Sequence, residues 1–208
     1  TKTYNLNKEF LQSLVDEGLW LRRINIRQVE GKGFQEIPEK EFKSFKKWTR
    51  ENVDAPLLQD IFPLGLELKD VRWESHDSRI RLPKHLEQVH LSQDILGKGG
   101  VTFGRQIGAY PILIGVPYLI PLESTSNIII TGHGMRSITG VECDLDINNA
   151  TEKQLEAIPG ISKKGAWALI SERVKRKNKG FELPFEDAED AFNLTGLNMS
   201  EIANKILI

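Results

Sequence analysis

The residues best suited to bind a ligand follow a tight hairpin in the last third of the chain. Pro159 and Gly160 stand between two apolar-periodic segments that have the length of helices. Thr151 is the expected N-cap of the first segment. The second helix would begin with unpaired backbone N–H groups, and its dipole favours negative charge there. This chemistry suits a phosphate oxygen.

Basic side chains cluster just after this hairpin. Between residues 163 and 179 there are seven Lys or Arg side chains and one acid, whereas residues 181–190 have five acids and no base. We therefore expect the first hairpin to contact phosphate and a second one, around Gly196, to act mostly as a scaffold. The alternative is that both hairpins only pack against protein. The candidate nucleic-acid-binding residues are Gly160, Ser162, Lys163, Lys164, Arg173, Lys175 and Arg176.

The segment resembles the helix-hairpin-helix family, whose core reads apolar-x-Gly-apolar-Gly and then Ala. The matching residues are Ile158, Gly160, Ile161 and Ala166. Ser162 stands at the second glycine, where a left-handed backbone would cost more than it does for Gly. Its hydroxyl could instead cap the second helix or donate to a phosphate. A degenerate second copy begins near Phe185, so the resemblance implies a tandem helix-hairpin-helix domain over residues 143–208.

The middle of the chain, residues 61–142, is predicted to form a small β-barrel of the OB or TRAM type. Short β-branched runs alternate there with Gly and Pro, which is typical of several short strands joined by turns. The strand-like runs are Leu64–Glu74, Val101–Phe103, Ile112–Val116, Asn127–Thr131 and Ser137–Val141. The polar stretch Ser75–Gly100 is predicted to be a long insertion or loop.

The first part, residues 1–60, is predicted to hold a helix–strand pair and a basic helix. An Asn5-capped helix would end at Gly18, and Leu19–Val29 favours a strand. Pro38–Val53 has aromatic residues at helical spacing with lysines between them. It is either an amphipathic helix with buried aromatics and solvated lysines or a helix that touches nucleic acid.

Three blocks resemble the C-terminal region of an archaeal family of radical SAM iron–sulfur proteins. They are Gly104–Pro117, Gly132–Thr139 and the hairpin unit, and Leu21–Val29 is similar to the last helix–strand unit of the catalytic barrel. The resemblance implies that the catalytic barrel, with its three-cysteine loop for a 4Fe-4S cluster and S-adenosylmethionine, belongs to a parent chain and is missing here. The middle β-segment is similar to the small RNA-binding barrel of tRNA-modifying methylthiotransferases.

Composition excludes several classes of protein. The 208 residues are 39% hydrophobic and 27% charged, which is a globular mixture. The single cysteine, Cys143, cannot close an intrachain disulfide, form a CxxC zinc site or hold an iron–sulfur cluster alone. No run approaches the roughly 20 apolar residues that span a bilayer, so we expect no membrane partner and a cytoplasmic location.

Together these patterns predict an α+β chain: a helix–strand remnant, a small β-barrel and an all-α hairpin domain. The expected function is a non-catalytic, nucleic-acid-binding region of a radical SAM enzyme that grips the backbone of DNA or tRNA without reading bases. No catalytic residue, metal ligand or cofactor is assigned to this chain itself. The alternative function is a protein-interaction module that docks against the parent's catalytic barrel or a partner subunit.

Overall fold

The computed structural model describes residues 2–19, 26–27, 38–77, 91–108 and 112–208. Contacts group the chain into two compact units, one of Thr1–Pro63 with His133–Arg136 and one of Leu64–Gly132 with Ser137–Ile208. The strand expected at 19–29 lies almost entirely outside the described residues, as does the middle of the loop expected at 75–100.

The first unit contains three described helices, α1 (Lys2–Asp16), α2 (Glu39–Thr49) and α3 (Ala55–Ile61). A π-helical turn over Arg50–Asp54 joins α2 to α3. The helix α1 begins before the expected cap at Asn5. The remaining described members of the unit, His133–Arg136, contact this group through His133, whose Nε2 lies 2.6 Å from the carbonyl oxygen of Phe62.

The aromatic residues of α2 pack inside the first unit. The ring of Phe45 stacks on Tyr4 at 4.6 Å and on Trp48 at 6.4 Å between centroids, and Phe45 is buried. Lys43 is exposed and pairs with Glu39 at 2.7 Å. These are the contacts of an amphipathic helix with an aromatic inner face, which was one of the two alternatives for this segment.

The second unit contains a closed five-stranded barrel. Its strands are β1 (Glu67–His76), β2 (Gly99–Gln106), β3 (Leu113–Tyr118), β4 (Thr125–His133) and β5 (Ser137–Glu142). They follow the order β1-β2-β3-β5-β4 around the barrel. The pairings of β1 with β2, β1 with β4 and β2 with β3 are antiparallel, whereas that of β3 with β5 is parallel. The α+β class and the small OB-like barrel predicted from the sequence are confirmed.

Inward-facing residues fill the barrel, as the alternation along each strand requires. Nine of them are at most 1% exposed: Val71, Trp73, Ile114, Val116, Tyr118, Ile128, Ile130, Ile138 and Val141. Glycine is needed at Gly104, because a Cβ there would collide with the Arg72 carbonyl group and the Trp73 ring. At Gly140 a Cβ would likewise collide with the Ile128 side chain.

Four helices complete the second unit: α4 (Glu152–Ala157), α5 (Lys163–Asn178), α6 (Ala188–Thr195) and α7 (Glu201–Ile206). The end of the chain adds a parallel bridge, in which the Leu145 N–H donates to the Ile206 carbonyl at 2.8 Å and the Ile208 N–H donates back to Leu145 at 3.1 Å. The barrel and the helices therefore form one compact unit by contacts. That residues 143–208 form a domain of their own stays a prediction.

Candidate nucleic-acid interface

The first hairpin joins α4 to α5. A reciprocal capping box opens α4, in which the Thr151 hydroxyl accepts the Gln154 N–H and the Gln154 side chain accepts the Thr151 N–H at 3.0 Å. After α4 the Ile161 N–H closes the turn on the Ile158 carbonyl at 3.0 Å. Gly160 has φ +95°, a left-handed conformation that glycine adopts without strain. The local sequence thus sets the path of the turn.

Ser162 caps the second helix of the hairpin. Its φ is −75°, and its Oγ accepts the Gly165 N–H at 3.1 Å. The left-handed backbone that would penalise a serine is therefore not required at this position. Of the roles expected for its hydroxyl, capping is the one present in the structure.

Unused donors lie at the start of α5. Among the described residues, no acceptor receives the backbone N–H groups of Ser162, Lys163 or Lys164. The side chains of both lysines are exposed. A nearby acid, Glu156, accepts a 2.6 Å hydrogen bond from Lys153, which together with the charges of Lys153 and Lys163 lowers its pKa. The end of the hairpin therefore combines free N–H groups with two cations.

The second hairpin supports the first. The Ser200 hydroxyl donates to the Pro159 carbonyl at 3.1 Å and accepts the Ala203 N–H at the start of α7. Gly165 of α5 lies so close to Leu197 that a Cβ would come within 3.3 Å of the leucine side chain. The turn regions of the two hairpins contact each other through these residues.

The basic residues near the end of α5 make contacts within the protein. Arg173 is half-buried and donates to the carbonyls of Ile147 at 3.3 Å and Ala150 at 2.8 Å, and burial lowers its pKa. Arg176 pairs with Asp190 at 2.9 Å and lies over the Phe181 ring. Lys175 pairs with Glu172 at 3.0 Å but keeps a largely exposed side chain.

The seven candidate residues thus fall into two groups. Gly160, Ser162, Lys163 and Lys164 lie together at the hairpin, with exposed side chains or free N–H groups. Arg173, Lys175 and Arg176 lie about 15–20 Å further along α5, from the rise of 1.5 Å per residue. The two arginines hold neighbouring segments in place, so the hairpin group and the exposed Lys175 are the parts available to a ligand.

Sequence reasoning missed Trp167, one turn after the hairpin lysines. Its side chain is 66% exposed, whereas Ala166 and Leu169 on the opposite side of α5 are buried. The helical spacing indicates that Trp167 is exposed, because it follows Lys163 by four residues and does not lie on the same face as Ala166 and Leu169. A large exposed aromatic beside two lysines extends the interface along the helix.

The described residues offer few groups that could bind a metal ion or act as a nucleophile. Within the described residues, no three His, Cys, Asp or Glu side chains come together to hold a metal ion. Burial, with smaller effects from Glu67 and Asp144, raises the pKa of the Cys143 thiol to about 12, so it remains protonated at neutral pH. None of the described helices is long and apolar enough to cross a membrane.

Comparisons with known proteins place similar sequences in archaea. An uncharacterized protein of Archaeoglobus fulgidus is 35% identical over 169 residues, which cover 76% of this chain and 28% of the relative. An uncharacterized protein of Methanocaldococcus jannaschii is 30% identical over 150 residues, covering 67% of this chain and 24% of the relative. The chain thus spans about a quarter of the length of these relatives. No family model matches it, and no solved structure does.

Proposed function

We propose that this chain is the nucleic-acid-binding C-terminal region of a radical SAM iron–sulfur protein. In this proposal α4–α5 and α6–α7 are the two halves of a tandem helix-hairpin-helix domain. The first hairpin grips the phosphate backbone of DNA or tRNA without reading bases, and the second hairpin supports it. The 4Fe-4S cluster and S-adenosylmethionine belong to the catalytic barrel of the parent protein.

The phosphate contact is inferred mainly from one observation. Unpaired backbone N–H groups and exposed lysine side chains lie together at the start of α5. The backbone N–H groups of Ser162, Lys163 and Lys164 have no acceptor in the described part of the chain, and both lysine side chains are exposed beside them. Such donors, aided by the helix dipole, favour an anion. Arg173 and Arg176 contribute by positioning, since they hold α5 against the segment before α4 and against α6.

A longer parent is supported by the relatives, of which the matched segments make up 28% and 24%. The expected finding is a three-cysteine CxxxCxxC motif in the gene upstream of this chain, and a 4Fe-4S absorbance band in the full-length protein after reconstitution with iron and sulfide. A parent without such a motif would contradict the radical SAM assignment. It would not contradict phosphate binding by the hairpin, which a separate experiment tests.

Binding of labelled nucleic acid, followed by fluorescence anisotropy, tests the phosphate contact. The chain is titrated into a duplex DNA, a tRNA and a single strand at several salt concentrations. Replacing Lys163 and Lys164 by Glu should abolish or strongly weaken binding. A milder Lys163→Gln/Lys164→Gln variant should lower the slope of log K against log salt by about 1.8 on duplex DNA, since each phosphate contact contributes about 0.9.

The matched control is Lys43→Glu/Lys47→Glu on α2, which changes the net charge by the same amount and also replaces two exposed lysines. It should bind as the unmodified chain does. Equal losses in both variants would mean that only net charge matters and that the hairpin is not the contact. No binding at low salt to any of the three nucleic acids would reject the proposal and favour the protein-docking alternative.

A further inference from the structure

The outer face of α5 carries an apolar strip where a surface helix would ordinarily be polar. Trp167 is 66% exposed and Val174, two turns further on, is 50% exposed. Ile170 lies between them and is partly exposed. These residues follow one another by three and four positions, which places them on one side of the helix.

The strip faces away from the packed side of α5. Gly165 and Leu169, on the other side of the helix, and Ala166, on its flank, are buried against the rest of the unit. In the described part of the chain, the Trp167 indole has no hydrogen bond, ring contact or cation over its face. By contrast, Trp73 is fully buried and donates to Ser126 at 2.9 Å.

Lysines border the strip on both sides. On a helical projection Lys177 lies along one edge, Lys164 and Lys175 lie along the other, and Lys163 stands at the N-terminal end of the strip itself. All four side chains are exposed. Since helical side chains lean toward the N-terminus, the Trp167 side chain is directed toward the first turn of α5, where Lys163 and Lys164 stand four and three residues earlier. An aromatic face, two cations and the free N–H groups of the hairpin therefore adjoin one another.

From this arrangement we infer that the hairpin binds unpaired nucleotides, with a base stacked on Trp167 and the adjoining phosphates on Lys163, Lys164 and the hairpin N–H groups. The inference rests on the proposed function and names its substrate class. The faces of bases in a duplex are covered by their neighbours, so an exposed indole gains a stacking contact only from a single strand or a loop. A positively charged border complements phosphates along such a strand.

The experiment compares Trp167→Ala with Trp167→Phe on a labelled 12-nucleotide single strand and on a duplex of the same sequence. Stacking on an aromatic side chain changes affinity by about 5- to 150-fold per base when the ring is removed. We expect Trp167→Ala to weaken single-strand binding by at least about tenfold and to leave duplex binding within about twofold of the unmodified chain. Trp167→Phe should restore most of the lost affinity, because a smaller ring still stacks.

Phe10→Ala is the matched control, since Phe10 is an aromatic side chain of α1 that is 61% exposed. It should change neither affinity. If Trp167→Ala changes single-strand and duplex binding equally or not at all, while the Lys163→Glu/Lys164→Glu variant loses both, the stacking inference is wrong and the phosphate contact stands. If no nucleic acid binds, the proposed function fails as well. Trp167-dependent binding of an acidic helical peptide without nucleic-acid binding would instead make the strip a protein-docking surface.

Discussion

Glu142 is a carboxyl group enclosed where the barrel meets the hairpin helices. Burial raises its pKa above the ordinary 4.5, and hydrogen bonds from Ser126, Tyr118 and Gln154 oppose this shift without cancelling it. The Glu142 backbone N–H also donates to the Tyr118 hydroxyl at 3.0 Å. Because ionised Glu142 is less favourable in the folded chain than in the unfolded chain, it makes stability depend on pH.

Glu142→Gln should raise the free energy of unfolding at neutral pH. A raised folded pKa gives stability that is fully present below pH 4.5 and is lost as the pH rises through the folded pKa. The neutral amide does not ionise, so the advantage of the variant should grow above pH 4.5 and level off once the folded carboxyl has ionised. Urea unfolding curves between pH 4 and 8 measure this difference.

Glu186→Gln is the control for this pH series, since Glu186 is exposed. It should leave the unfolding curve nearly unchanged, because an exposed side chain contributes little to stability. If Glu142→Gln is less stable than the unmodified chain throughout the range, the hydrogen bonds of the ionised carboxylate outweigh its burial, and ionised Glu142 stabilises the folded chain.

At the scale of elements, the start of α5 depends on Ser162. Its hydroxyl accepts the Gly165 N–H at 3.1 Å and leaves the first N–H groups of the helix free for a ligand. Ser162→Ala should cost about 1 kcal/mol of unfolding free energy, the typical loss of a capping hydroxyl. Ser162→Gly, which restores the second glycine of the hairpin pattern, should cost only a few tenths of that. Urea unfolding measures both.

Ser171→Ala within α5 is the matched control. Alanine is the better helix former, so this variant should be neutral or slightly more stable. If Ser162→Ala and Ser171→Ala behave alike, the Ser162 hydroxyl is not a stabilising cap. The nucleic-acid affinity of Ser162→Ala then separates capping from direct phosphate contact, because a cap that only stabilises leaves the affinity of the folded protein unchanged.

Local elements were largely predictable from the sequence. The five strand-like runs all lie in or beside a barrel strand, and Thr151 caps α4 as its residue type indicates. These features depend on neighbouring residues, on turn residues and on the alternation of apolar and polar side chains. All three signals lie within a short stretch of sequence. The start of α1 at Lys2 departs from the cap predicted at Asn5, since helix ends are weakly specified without a capping hydrogen bond.

Contacts between distant segments were not predictable. The sequence predicts that Arg173 binds nucleic acid, yet its guanidinium donates to the Ala150 carbonyl, 23 residues away along the chain. The parallel bridge of Leu145 with Leu207 also has no local signal. Only the folded structure separates the lysines whose side chains remain exposed from the arginines that hold neighbouring segments.

At the scale of the whole molecule, the net charge of −1 conceals a strong separation of charge. The basic block at 163–179 forms most of α5, and the acidic block at 181–190 leads into α6. Arg176 and Asp190 join the two blocks at 2.9 Å. This pairing uses one of the basic residues, whereas Lys163 and Lys164 remain exposed at the hairpin end, the part of α5 that is most accessible to a polyanion.

Gly97 links the barrel to the hairpin helices within the second unit. Its N–H donates to Leu119 of the barrel segment at 2.8 Å, and its carbonyl accepts the Thr151 hydroxyl at 2.8 Å. Gly97 has φ +71°, and a Cβ there would come within 2.5 Å of the Thr151 hydroxyl oxygen and 2.7 Å of the Gln154 side-chain oxygen. The capping box of α4 therefore rests directly against this glycine.

Gly97→Ala should destabilise the whole second unit by about 2–4 kcal/mol, because it adds a collision to the 1–3 kcal/mol of a left-handed alanine. Gly108→Ala isolates the backbone part, since Gly108 has φ +75° and nothing within 4 Å of its Cβ position. Hydrogen exchange should show β1–β5 and α4–α7 losing protection together in Gly97→Ala. If the helices alone lose protection while the strands keep theirs, the barrel and the helices are separate folding units despite their shared contacts.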